Sequence, residues 1–155
     1  MLRVMHYHDT PNHKIKDVCH TMLVCEYRPQ NEDPNHSRIT LAGGHTKYPG
    51  DLGTPTGSLD LVKMIINSVL SISNARFVCF YAANFYLQTP MVNPEYARIK
   101  LSAIPQEIID EYDLTTYVHN GWIYYEVVRG CYGLPQSGRL ANNLLRTILE
   151  KAGYY

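Results

Sequence analysis

The chain has 155 residues, 45% of them hydrophobic, enough for one domain with a sizeable core. Lysine plus arginine equal aspartate plus glutamate at 14 each, and this zero net charge argues against a polybasic tail and against strong bulk attraction to phosphate, while leaving room for a locally basic cleft. The four cysteines form no CxxC pair, which points to a reducing intracellular setting, and no apolar run approaches the roughly 18 residues of a membrane span, so no membrane partner is expected.

Residues 1–21 are polar and rich in histidine (His6, His8, His13, His20), with little periodicity. They read as a poorly ordered or edge segment, and the opening MLRVMHYHDT lacks the apolar core of a signal peptide. Residues 22–27 (MLVCEY) predict a strand, 28–36 (RPQNEDPNH) a turn or loop, and 38–42 (RITLA) the returning strand of a hairpin. The prolines and glycines of 47–57 predict a loop. A helix follows from residue 58 to about 73. Leu59, Val62, Ile65, Ile66, Val69 and Leu70 recur at three and four and predict one buried face, with Thr56 or Ser58 as cap.

Residues 76–80 and 97–101 predict strands, and 105–112 a short helix with proline in its first turn. Residues 115–119 and 122–128 flank an Asn-Gly pair, a strong hairpin signal. The glycine-rich 130–138 (GCYGLPQSG) feeds a last helix with Leu140, Leu144, Leu145, Ile148 and Leu149 on its inner face and Gly153 as C-cap. The order predicts an α+β fold with helices packed on an antiparallel sheet.

Four runs carry a resemblance: SRITLAGG, KYPGDLGTPTGSLDLVKMIINSVLS, NFYLQTPM and YYEVVRGCYGLPQSG. In continuous order over residues 22–155 they resemble the reverse transcriptase (RNA-directed DNA polymerase) of copia-type, pseudoviral LTR retrotransposons. The resemblance implies a fingers-and-palm fold in incomplete form, with 22–155 a partial domain. It implies nucleotidyl transfer from deoxynucleotides onto a DNA primer along an RNA template. Two Mg²⁺ ions about 4 Å apart support that chemistry and need carboxylate oxygens. It implies a setting within a polyprotein that also holds integrase and ribonuclease H, in the cytoplasm, a virus-like particle or the nucleus.

The family's metal-binding motif reads Asp, two variable residues, Asn or Asp, aromatic, aromatic. Asn84, Phe85 and Tyr86 match its later part, which puts Tyr81 at the catalytic Asp position. A phenol, with a pKa near 10, is neutral at pH 7 and a poor Mg²⁺ ligand. The family's later Asp pair is expected beyond Tyr155, and no adjacent Asp-Asp occurs in the sequence. No catalytic residue or metal ligand is therefore carried over, and no cofactor is expected to be retained.

By the same resemblance the nucleotide-binding positions are Arg38, Tyr86 and Gln136. Arg38 would contact the incoming triphosphate, which a guanidinium suits. A basic residue expected two positions earlier is His36. Tyr86 would lie under the sugar and exclude a ribose 2′ hydroxyl, with a core tyrosine as the plain alternative. Gln136 would sit beside nucleotide and template, or else serve only a helix-capping turn. Lys63 and Arg129 read as solvated surface. The spacing of His6, His8, His13, Cys19, His20 and Cys25 fits no standard zinc finger, and Cys131 lacks a histidine partner motif for a reactive thiol. Three functional readings follow: a catalytically inactive polymerase fragment, a non-catalytic nucleic-acid-binding module, and an unstable relic.

Overall fold

The computed structural model describes residues 1–46 and 48–154. The first residue of the loop predicted for 47–57 lies outside them, as does Tyr155 at the end of the partial domain. The fold mixes strands and helices in the α+β manner. Strands β1 (Leu2–Met5), β2 (Cys19–Tyr27), β3 (Asn35–Leu41), β4 (Pro90–Lys100) and β5 (Trp122–Arg129) form one sheet in the order β1-β5-β4-β2-β3. Neighbours run antiparallel except β2 and β4, which pair parallel through Cys19–Ala97 and His20–Arg98. The sheet curls, because β3 meets the chain just past β5: Thr40 bridges Tyr132, and the Leu41 N–H donates to the Tyr132 carbonyl at 2.8 Å.

Alternation along the strands sends one set of residues inward. Ala97, Tyr125 and Val127 join Cys19, Leu41, Cys131 and Leu134 in the main core. A second cluster of Ile109, Leu114 and Ile123 packs beneath the short helix α3 (Gln106–Glu111). Within segment 1–21 the edge-structure form holds for its first part, since β1 pairs with β5 at the sheet edge and Tyr7 stacks on His119 with ring centroids 4.1 Å apart, whereas residues 19–21 already belong to β2 in the interior of the sheet.

The predicted hairpin over 22–42 forms, with Val24 opposite Arg38. The Asn-Gly turn also forms: Asn120 (φ 50°) and Gly121 (φ 81°) both take the left-handed conformation that a tight hairpin turn needs. Its first arm is not a strand, however. Residues Leu114–Tyr117 make a single 3₁₀ turn, and β5 spends its hydrogen bonds on β1 and β4. Strand β4 starts at Pro90, earlier than the predicted 97, with a register shift between Pro90 and Glu95 where two prolines lack ladder donors.

Two predictions fail in the middle of the chain. Residues 76–80 are not a strand, because no neighbour supplies a ladder to them, and Phe77, Val78 and Phe80 are exposed. Helix α1 (Leu59–Ser71) forms with Ser58 as its cap, the side chain accepting from the Leu61 N–H at 3.2 Å. Its apolar face buries nothing: Leu59, Val62, Ile65, Ile66 and Leu70 all lie exposed. Helix α2 (Phe85–Gln88) is a single turn entered through Asn84 at φ 52°, and α4 (Ser137–Lys151) packs near it.

Candidate functional site

The hairpin carries the first part of the site. Glu26 lies near the end of β2 and Arg28 just past it, two residues on, while Arg38, opposite Val24 on β3, reaches Glu26 diagonally across the ladder. Arg28 donates to Glu26 Oε2 through Nε at 2.9 Å and also through Nη2, while Arg38 Nη2 donates to Glu26 Oε1. The hydrogen bond from Arg28, and then that from Arg38, hold the Glu26 carboxyl below its ordinary value.

Beside this group lies a cleft of about 400 Å³ whose wall includes Arg28, His36, Arg38, Tyr81, Asn84 and Tyr132. Arg38 and Tyr81 therefore share one cleft. Tyr81 is 87% exposed, on a stretch that turns into α2 at left-handed Asn84. Asparagine tolerates that conformation better than other non-glycine residues. Tyr86 is half-buried on α2 and borders the cleft through Tyr132, with ring centroids 5.5 Å apart.

Gln136 is not brought to this cleft. It is 1% exposed, and its Nε2 donates to Glu95 Oε1 at 3.1 Å. Glu95 in turn pairs with Lys14 at 3.1 Å. Among the described residues the Gln136 Oε1 atom has no hydrogen-bond partner, and the residue borders a separate cavity of about 380 Å³ with Lys14, Tyr48 and Tyr96. The GCYGLPQSG turn is held from within. The Cys131 N–H donates to Ser137 Oγ at 3.0 Å, and that hydroxyl donates to the Cys131 carbonyl at 2.7 Å.

Cys131 is fully buried, and burial raises its thiol pKa, so it is no exposed nucleophile. Lys63 lies 4.0 Å from Asp60 on the exposed α1, and Arg129 is exposed at the end of β5. His6 stacks on Tyr117, and His8 meets the edge of His119. Among the described residues no three histidine, cysteine or acidic side chains stand together to hold a metal. Among the described residues the cleft wall around Tyr81 contains no carboxylate, so the residues there do not fit Mg²⁺.

Sequence reasoning missed Arg28, Glu26 and Tyr132. The signal for the first two was present, since Glu26 and Arg28 are spaced by two at the end of a predicted strand that faces Arg38 across a hairpin. Tyr132 had no such signal, because only the curl of the sheet brings it beside Thr40. No helix among the described residues is long and apolar enough to cross a membrane. No family model, no curated protein and no solved structure matches this chain.

Proposed function

We propose that the chain is the fingers and first palm portion of a copia-type retrotransposon reverse transcriptase, one that keeps nucleotide-contact positions and has lost its own catalytic metal site. The reading rests on the four motif runs in continuous order. It gains support from the cleft that Arg38 and Tyr81 share, since the resemblance assigns both positions to one active site. An aspartate at position 81 would face that cleft as a hard oxygen ligand, whereas a neutral phenol offers Mg²⁺ little. In this chain the cleft would hold phosphates through its arginines and without a metal, with the Tyr86 and Tyr132 rings tilted against each other beside it. The partners on this reading are an RNA template, a DNA primer and deoxynucleotides, in an intracellular setting.

The purified chain, given an RNA template, a DNA primer, deoxynucleotides and Mg²⁺ or Mn²⁺, is expected to extend nothing. Tyr81→Asp is expected to stay inactive, since the sequence supplies no adjacent Asp pair. Extension by the chain itself, free of contaminating polymerase, would sink the inactive reading. A folded chain that binds neither an RNA–DNA hybrid nor deoxynucleotides at low salt would sink the claim that its nucleotide-contact positions are kept.

A second reading, a non-catalytic nucleic-acid-binding module, is favoured by the same cleft. Its wall shows Arg28, His36 and Arg38, the two arginines sharing the single carboxylate of Glu26, on a protein of zero net charge. A salt-dependent mobility shift with an RNA–DNA hybrid, abolished by Arg38→Ala, is the outcome this second reading requires.

A further inference from the structure

We propose that Arg28 is the second cation of a phosphate clamp whose first is Arg38, with Glu26 as the positioning residue that sets the two guanidiniums side by side. The inference deepens the reading above, which supplies the ligand's class: a chain of linked phosphates such as a nucleotide's triphosphate.

Register and hydrogen bonding carry the argument. Arg28 follows directly on β2, and its N–H donates to the Pro34 carbonyl at 2.7 Å, so it stays in register past the end of the strand. Arg38 reaches over from β3. Both guanidiniums converge on the one Glu26 carboxylate. Arg28 and Arg38 line the cleft and Glu26 does not, so the carboxylate braces the pair from outside it. A guanidinium offers five N–H donors, and Glu26 takes only some of them. The remaining donors can grip phosphate oxygens bidentately, which a single lysine-like point charge cannot do. Two adjacent forks match two linked phosphates better than one isolated anion. His36, where the sequence pattern would have a second basic residue, lies on the same wall, and Arg28 supplies from the facing strand the permanent charge that a histidine does not.

The probe is inorganic tripolyphosphate, titrated calorimetrically into the whole chain at low salt, with near-UV circular dichroism to show that each variant is folded. Arg28→Ala and Arg38→Ala are each expected to weaken binding about tenfold or more, the scale of a lost hydrogen bond to a charged group. The double variant is expected to lose little beyond either single one, because both arginines hold one ligand. Arg28→Lys should fall between wild type and Arg28→Ala. Arg146→Ala, which removes a cation on α4 paired with Glu150 at 2.8 Å, should bind as wild type does. Wild-type affinity in Arg28→Ala overturns the proposal. So does an equal loss in Arg146→Ala, full additivity of the two arginines, or no binding by the folded wild-type chain.

A deoxynucleoside triphosphate separates this inference from the reading beneath it. If it binds no tighter than tripolyphosphate while both arginines matter, the clamp stands and the nucleotide reading falls. If it binds and Arg28→Ala leaves it untouched, the reading stands and the role of Arg28 falls.

Discussion

Helices α1 and α4 have the same kind of sequence and opposite fates. Each repeats apolar residues at three and four, and each should bury one face. Helix α4 does so in part. It buries Ser137 and Ala141, its first turn is tied to Cys131 through the Ser137 hydroxyl, and Arg139 Nη1 donates to the Gly53 carbonyl at 2.9 Å. Helix α1 has its Ser58 cap and an ion pair within its own first turn, and buries nothing. No residue from 49 to 84 is buried, whereas the strands around β5 hold Ile123, Tyr124, Tyr125 and Val127 at 5% exposure or less. Amphipathic spacing tells which face of a helix would be buried. Whether that face meets a partner depends on elements elsewhere in the fold.

The largest expected effect probes the packed side at its tightest point. Gly133 sits at φ +88°, and a Cβ there would come within 1.9 Å of the carbonyl oxygen of Leu41, the residue whose N–H makes the bond to Tyr132 that curls the sheet. Gly133→Ala should cost about 4 kcal/mol or more, or prevent folding, from steric strain and lost closure together. Gly57→Ala, in the loop before α1, would meet only the Leu61 side chain at 4.0 Å and should change stability by less than about 0.5 kcal/mol. Urea unfolding of both variants checks the contrast.

The next contrast deletes comparable aliphatic bulk from the two regions. Leu41 is 2% exposed in the main core, so Leu41→Ala should cost about 3 kcal/mol, transfer and cavity together. Ile66 is 43% exposed on α1, so Ile66→Ala should cost under about 0.5 kcal/mol. Equal losses in urea unfolding would break the comparison, because they would mean that α1 packs on something in solution.

Local signals were legible in the sequence where they were self-contained. The β2–β3 hairpin, the Asn120-Gly121 turn, the Ser58 cap and Gly153 at φ +86° all depend on residues within one or two turns of each other. What failed depended on distant partners. Residues 76–80 have the composition of a strand but no neighbouring edge. The 115–119 arm lost to β1 and β4, which already take both edges of β5. At the site, the family resemblance marked Arg38 and Tyr81 individually, but their shared cleft depends on how the hairpin and the turn into α2 meet. Gln136, marked by the same resemblance, instead turns inward to Glu95, which also pairs with Lys14.

The smallest expected effect also belongs to the packed side, and its sign follows from burial. Cys19 is 3% exposed, and burial first, then the nearby charges of Glu95 and Asp17, push its thiol from 9.0 up to about 11. The unfolded chain therefore loses this proton at lower pH than the folded one. Its contribution is present in full below pH 9 and drains away as pH rises toward 11. At 1.36 kcal/mol per pKa unit the loss is at most about 2.7 kcal/mol. Tyr125, which burial raises from 10.0 to about 12 against the opposing hydrogen bond with Thr21, extends the same trend to higher pH. Unfolding free energies measured in urea from pH 8 to 11 should fall, and Cys19→Ala, although weaker at pH 8 from its cavity, should fall less steeply over that range. Parallel slopes for the two chains would mean that Cys19 titrates alike folded and unfolded, and that the β2 end of the core is as open to water as α1.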